Sequence, residues 1–249
     1  MTTQDRNTAS TFAKGMAVLG AFDGSMPALT LADIARATGQ DRAAARRGAL
    51  TLVQLGYLAQ TGRAFTLTPK VLTLAAGYFR ANDFGHRVQP VLNRHAARLG
   101  AEIVLATRDG TEVLLLAQST LPSGPVSFGF TPGSRLPLLH TSLGRMLLAC
   151  ETDPAPLAST APMTAHTERS LASRESVMEQ VTQARGAGYA ETDGEFESGI
   201  VGFAVPVSAP EAAGMVVGTS MPRGSDGEAA LRALRLCAAE LRQSGVGAT

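Results

Sequence analysis

Arg42, Ala43, Arg46 and Arg47 bring matching chemistry together within six residues. At helical spacing Arg42 and Arg46 stand one turn apart, as do Ala43 and Arg47. The inner stripe is left to Ala45, Ala49, Leu52 and Gly56. A guanidinium fork bridges O6 and N7 of guanine or clamps a phosphate, and alanine lets a helix approach base edges. These four are candidate contacts to the major groove of double-stranded DNA. Arg63, beside Thr61 and Gly62 in a turn, is a candidate for phosphate or the minor groove. A solvated cationic helix face has the same composition, so the surrounding elements must decide.

Other reactive side chains are spaced against catalysis. His140 and Ser142 with Asp193 would make a hydrolase set, but no G-x-S-x-G elbow surrounds Ser142. Helix residues two apart do not face each other. His86, His95 and His166 lack metal-ligand spacing, and His95, on an amphipathic segment, reads as a surface or boundary residue. There is no Walker loop or dinucleotide fingerprint. Cys150 (LLAC) and Cys237 (LRLCAAEL) read as buried free thiols of a reducing compartment. The sequence predicts no enzyme, no metal and no cofactor.

Charge is distributed unevenly. Residues 1–82 hold nine Lys/Arg against four Asp and no Glu, which gives +5; the rest of the chain carries −4. A basic head on a mildly acidic body suits DNA binding. The polar start MTTQDRNTAS lacks a signal peptide's apolar stretch, and no run approaches the roughly 20 apolar residues of a membrane span. The expectation is a cytoplasmic protein, long enough at 249 residues for two domains.

Local signals place the arginines on the second helix of a helix-turn-helix. Ser10 or Thr11 caps a first helix whose apolar Phe12, Met16 and Leu19 fall at spacings of four and three. Thr30 caps the next, with Asp33 as its capping-box partner and Leu29 and Ile34 as a hydrophobic staple. Gly39 supplies a left-handed stop, and Asp41 caps the arginine helix. Gly48, mid-helix, costs about 1 kcal/mol relative to Ala unless it permits close packing. YLAQTGRAFTLTP reads as a two-stranded wing with Arg63 at its tip. Pro69 opens a helix over 69–81, with Leu72, Ala75, Ala76 and Phe79 inward, linking the head to the second domain.

The remainder reads as an α+β domain around a mainly antiparallel sheet. Helix 84–99 ends at Gly100, and strands 102–108 and 112–118 flank an Asp109-Gly110 turn. Residues 126–130 form a short strand and 132–137 a loop. Thr141 or Ser142 then caps a helix to Ala149 or Cys150. Residues 151–170 show little periodicity beyond a turn of helix. A helix from Ser173 through Arg185 is closed by Gly186 and Gly188, and leads to strand 189–192 and an acidic loop over 193–197. Strands 200–208 and 214–221 and a last helix, capped by Ser225 or Asp226 and ending at Leu241, complete the chain.

FAKGMAVLGAF with LTLADIARATGQDRAAARRGALTLVQLGYL resembles the head of the isocitrate lyase regulator (IclR) family. GSRLPLLHTSLGRMLLA (133–149) and RGAGYAETDGEFESGIVGFAVPV (185–207) resemble its body. The likeness is greatest to the branch that regulates aromatic-acid and β-ketoadipate catabolism. It implies a winged helix-turn-helix over 1–68, a linker helix over 69–82 and a GAF-like effector-binding domain over 83–249. It also implies homodimers or homotetramers on palindromic promoter DNA. By the same resemblance a small organic acid, aromatic or otherwise carboxylic, would meet His140, Thr141, Ser142, Leu143, Thr192, Asp193, Ile200, Gly202, Gly218 and Ser220. A helix N-terminus with free N–H groups and a hydroxyl is a suitable receptor for a carboxylate. The alternative is a small-molecule sensor or enzyme-like body whose head contacts protein; a steep fall of DNA affinity with salt separates the two.

Overall fold

Thr30 and Asp33 satisfy each other's backbone at the start of a helix, and Asp41 does the same for the next. The Thr30 hydroxyl accepts from Asp33 N–H at 3.3 Å, while the Asp33 carboxylate accepts from Thr30 N–H at 3.0 Å. The Asp41 carboxylate accepts from Ala44 N–H at 2.8 Å. Between them Gly39 has φ +64°, a backbone that L side chains rarely adopt. These local choices specify where the two helices of a helix-turn-helix start and stop.

The computed structural model describes residues 9–120, 131–207 and 214–247. The chain forms two units, Met1–Ala81 and Asn82–Thr249. The first holds α1 (Ser10–Gly20), β1 (Leu29–Thr30), α2 (Leu31–Thr38), α3 (Arg42–Gln54), β2 (Leu58–Thr61), β3 (Ala64–Leu67), a 3-10 turn (Pro69–Val71) and α4 (Leu72–Ala81). The three strands pair antiparallel in the order β1-β3-β2. Val18, Leu29, Ile34, Ala45, Ala49, Leu52, Leu58 and Phe65 make the core, so the staple and the inner stripe of α3 meet as expected. Gly48 is explained as well. A Cβ there would lie 3.0 Å from Val18 Cγ2, so the missing side chain lets α1 and α3 close.

Several local expectations yield to this packing. Ala9, without a side-chain bond, precedes α1 in place of a Ser10 or Thr11 cap. Phe12 is 70% and Met16 46% exposed. The buried side of α1 is the one carrying Val18, because Gly48 offers it the closest approach. Gly56 lies beyond α3, in the turn to β2. No residue of α4 is buried: Leu72 is exposed, and so is Ala75.

The second unit holds α5 (Phe84–Arg87), α6 (Gln89–Leu99), β4 (Val104–Asp109), β5 (Glu112–Gln118), β6 (Arg135–Pro137), α7 (Ser142–Cys150), α8 (Ala155–Thr160), α9 (Arg174–Ala187), β7 (Ala190–Asp193), β8 (Ile200–Pro206), β9 (Met215–Pro222) and α10 (Gly227–Gln243). Its strands form one sheet in the order β6-β5-β4-β9-β8-β7, every neighbouring pair antiparallel. Successive residues of a strand point to opposite faces. A Cβ on Gly202 of β8 would meet Ser142 of α7, whereas Phe203 lies against Gly227 of α10. The sheet is therefore covered on both sides, with α7 and α9 over one face and α6 and α10 over the other.

The expected helix 84–99 is two helices, broken at Val88 ahead of Pro90, whose nitrogen cannot donate. The hairpin loop is Gly110-Thr111, since Asp109 pairs with Glu112. The 132–137 loop contains β6, held by pairing to β5. Gly186 lies inside α9, which Gly188 closes. His95 is buried, its Nε2 3.0 Å from the Glu240 carboxylate of α10. The expected strand 126–130 and the end of strand 200–208 lie outside the described residues.

Candidate nucleic-acid face and ligand cavity

On α3, Arg42, Ala43, Arg46 and Arg47 are all exposed, and Ala44, Ala45, Ala49 and Leu52 are buried. Among the described residues no carboxylate pairs with these arginines or with Arg63, whereas Arg36 of α2 pairs with Asp33. In the wing Thr61 pairs with Ala64, which puts Gly62 and Arg63 at the tip, and Arg63 is exposed. Gln60 Nε2 donates to the Gly62 carbonyl at 2.9 Å and tightens that turn. The arrangement offers a row of exposed guanidinium groups on a capped helix, the geometry that fits a DNA groove.

In the second unit the start of α7 rests on β8. The Thr141 hydroxyl caps the helix, accepting from Gly144 N–H at 3.1 Å and donating to the Pro137 carbonyl at 2.8 Å. A Cβ at position 202 would lie 2.8 Å from Ser142 Oγ and 3.0 Å from Thr192 Oγ1, so only glycine leaves both hydroxyls in place. Thr192, Gly202 and Ser220 are cross-strand neighbours on β7, β8 and β9. This row forms part of the wall of a cavity of about 60 Å³.

Of the ten expected ligand residues, Thr141, Ser142, Leu143, Thr192, Ile200, Gly202 and Ser220 line the cavity. The other three lie off it. His140 is fully buried behind the wall, its Nδ1 3.9 Å from Glu195 Oε2. Asp193 is held on the far side by Arg169 and Arg223, each at 2.6 Å. Gly218 lies under Leu143, whose Cδ2 would be 2.6 Å from a Cβ there. His140, Ser142 and Asp193 thus form no triad. Sequence reasoning misses Val104, Leu136, Glu195, Phe196, Glu197 and Thr219, which complete the wall. The acidic loop is plain in the sequence, but which of its residues turn inward depends on the β7–β8 connection. Val104 and Leu136 carry no signal beyond being apolar strand positions.

Glu195 is the pivot of this wall. It is 7% exposed and forms a two-point ion pair with Arg145 of α7, itself 1% exposed, with Arg145 Nη1 2.7 Å from Oε1. Burial pushes the Glu195 pKa up, yet His140 and Arg145 beside it outweigh burial and hold its carboxyl below the usual carboxylate range. The pair also borders a groove of about 540 Å³, lined by Gln180 and Gln183 of α9, Glu191 of β7 and Tyr189 between the two elements. Both cysteines are buried, and burial pushes their thiols up to about 11 for Cys150 and about 12 for Cys237. No group of three or more His, Cys, Asp or Glu suited to a metal ion occurs among the described residues. No described helix is long and apolar enough to cross a membrane.

Residues 76–241 match the bacterial transcriptional regulator IclR C-terminal domain, and residues 11–62 match the IclR helix-turn-helix domain. The chain belongs to the IclR family. This IclR protein is a transcription regulator and not an enzyme. It is 36% identical over 207 residues to the Pca regulon regulatory protein of Pseudomonas putida, covering 82% of this chain and 71% of that one. That likeness puts it in the aromatic-acid and β-ketoadipate branch. A transcriptional regulator from Rhodococcus sp. RHA1 superposes with a TM-score of 0.73 at 31% identity, covering 95% of this chain and 98% of the other. An IclR homologue from Microbacterium hydrocarbonoxydans, complexed with 4-hydroxybenzoate, shares the fold at 22% identity and TM-score 0.75, covering 96% and 100%.

Proposed function

We propose that this IclR regulator binds promoter DNA as a homodimer or homotetramer and answers to a small organic acid, most suitably an aromatic one, in the cavity at the start of α7. Residues 1–68 act as the DNA-binding head, 69–82 as the linker and 83–249 as the effector-binding body. Arg42, Ala43, Arg46 and Arg47 read the major groove, and Arg63 holds phosphate or the minor groove. The observation that carries the DNA assignment is the outward, unpaired set of arginines on α3. Self-association is supported by apolar side chains left in water on α1 and α4, Phe12 at 70%, Leu72 at 65% and Leu74 at 54% exposed.

For the effector, the support is a walled space with idle hydroxyls at a helix N-terminus, together with the 4-hydroxybenzoate held by a protein of the same fold. At about 60 Å³ the cavity is far below the roughly 300–1,000 Å³ of typical ligand pockets. Binding an aromatic acid there therefore requires the wall to yield and the space to enlarge.

Gel shifts on the promoter at several salt concentrations test the head. Arg46→Ala should relax the choice of sequence, and Arg63→Ala should weaken binding to any sequence and lower the salt slope by about 1. If neither variant changes binding, α3 is not the reading helix.

A further inference from the structure

The cavity differs in chemistry from one end to the other. At the α7 end are the Ser142 and Thr192 hydroxyls and the first-turn N–H groups of the helix. Ser142 is 5% exposed and its hydroxyl bonds no other described residue, although it is turned onto Gly202 in the wall. The loop between β7 and β8 brings Glu195 and Glu197 to the same space. Glu195 turns to α7, where it pairs with Arg145, and Glu197 lies toward the Ile200 end of β8. Glu197 is exposed and its carboxylate has no partner among the described residues. The Glu197 carbonyl accepts from Ile200 N–H at 3.3 Å, which fixes the loop over the Ile200 end of β8. Two strand residues, about 6–7 Å, separate Gly202 from Ile200.

An acid with its carboxylate beside Glu197 would bring two negative charges together. Turned round, its carboxylate meets the helix N-terminus and its far end meets a group that only accepts hydrogen bonds. We propose that Glu197 is a specificity-determining residue, selecting acids that carry a hydroxyl donor at the end remote from the carboxylate. The inference rests on reading this cavity as the effector site. Leu143, Phe196 and Ile200 supply apolar walls for a ring between the two ends. An acid without the donor forms no hydrogen bond to Glu197, so the hydroxy acid is preferred by the worth of that bond.

Titration calorimetry on the full chain tests this with three probes. They are 4-hydroxybenzoate, benzoate, and 4-methoxybenzoate, whose ether oxygen accepts but does not donate. The unaltered protein should bind the hydroxy acid about tenfold or more tighter than the other two. Glu197→Leu should lose that preference and bind benzoate at least as well as before, while Glu197→Gln, which keeps an acceptor oxygen, should retain part of it. Equal affinity for all three acids, or an unchanged preference in Glu197→Leu, overturns the proposal and leaves the cavity as the effector site. Failure of all three to bind overturns both together.

Discussion

Helices α3 and α7 are made of similar parts and use arginine in opposite ways. Each is short and starts behind a polar cap, Asp41 in one and Thr141 in the other. The arginines of α3 point into water, whereas the single arginine of α7 is 1% exposed. The difference lies in what surrounds each helix. One side of α3 packs against α1 and α2, so its outer positions stay hydrated and a guanidinium there needs no partner. Every residue of α7 from Ser142 to Cys150 is buried. A cation on such a helix is tolerable only beside a carboxylate, and Glu195 supplies one from the loop after β7. The same side chain is thus a reader of an external ligand on α3 and an internal tie on α7.

Removing the tie should have the largest effect. Glu195→Ala leaves Arg145 buried and unpaired, and should lower stability by about 3–5 kcal/mol in urea unfolding. A loss below about 0.5 kcal/mol would mean that Arg145 finds water or another acceptor. The pH dependence sharpens the same point. Since the folded Glu195 pKa is lowered, its stabilisation is complete above the ordinary 4.5 and is lost as pH falls through the lowered value. The stability gap between the unaltered protein and Glu195→Gln should therefore narrow below about pH 4.5, and a constant gap would contradict the assignment.

On α3 the effects should separate. Arg46→Ala is expected to reduce discrimination between operator and random DNA by about 1–3 kcal/mol. Its unfolding free energy should move by less than about 0.5 kcal/mol, because the side chain is exposed and bonds no other described residue. Ser142→Ala should reverse this contrast within α7. It removes a hydroxyl that holds no other described residue, so the thermal shift given by a bound acid should shrink by the worth of one hydrogen bond, about 1 kcal/mol. The smallest change is expected at Gly48. Alanine there gains about 1 kcal/mol of helix propensity and gives much of it back against Val18, 3.0 Å from the new Cβ. A near-neutral Gly48→Ala with a clearly destabilised Gly48→Val would show that the close approach of α1 and α3 is real.

Local chemistry made the head legible. Caps at Thr30 and Asp41, the left-handed Gly39 and the staple of Leu29 with Ile34 act over a few residues, and all are found as read. The body is legible in its strands and caps, since Thr141, Ser173 and Asp226 each accept from a backbone N–H three residues on. What fails is anything that depends on a distant neighbour. Phe12 and Met16 have helical spacing, but among the described residues neither is buried. His95 looks like a boundary residue until α10 brings Glu240 to it. Asp193 and Glu197 are both carboxylates and four residues apart, yet one is held by two arginines outside the cavity and the other is part of its wall.

By itself the sequence determined where helices start and stop and which side of α3 carries positive charge, because caps and periodicity are set by residues within a turn or two of each other. The tertiary structure alone decided which acidic residues meet the cavity, which arginine is internal, and that Gly202 makes room for two hydroxyls. Those depend on separate strands and helices meeting across one sheet face, and spacing along the chain carries no record of that meeting.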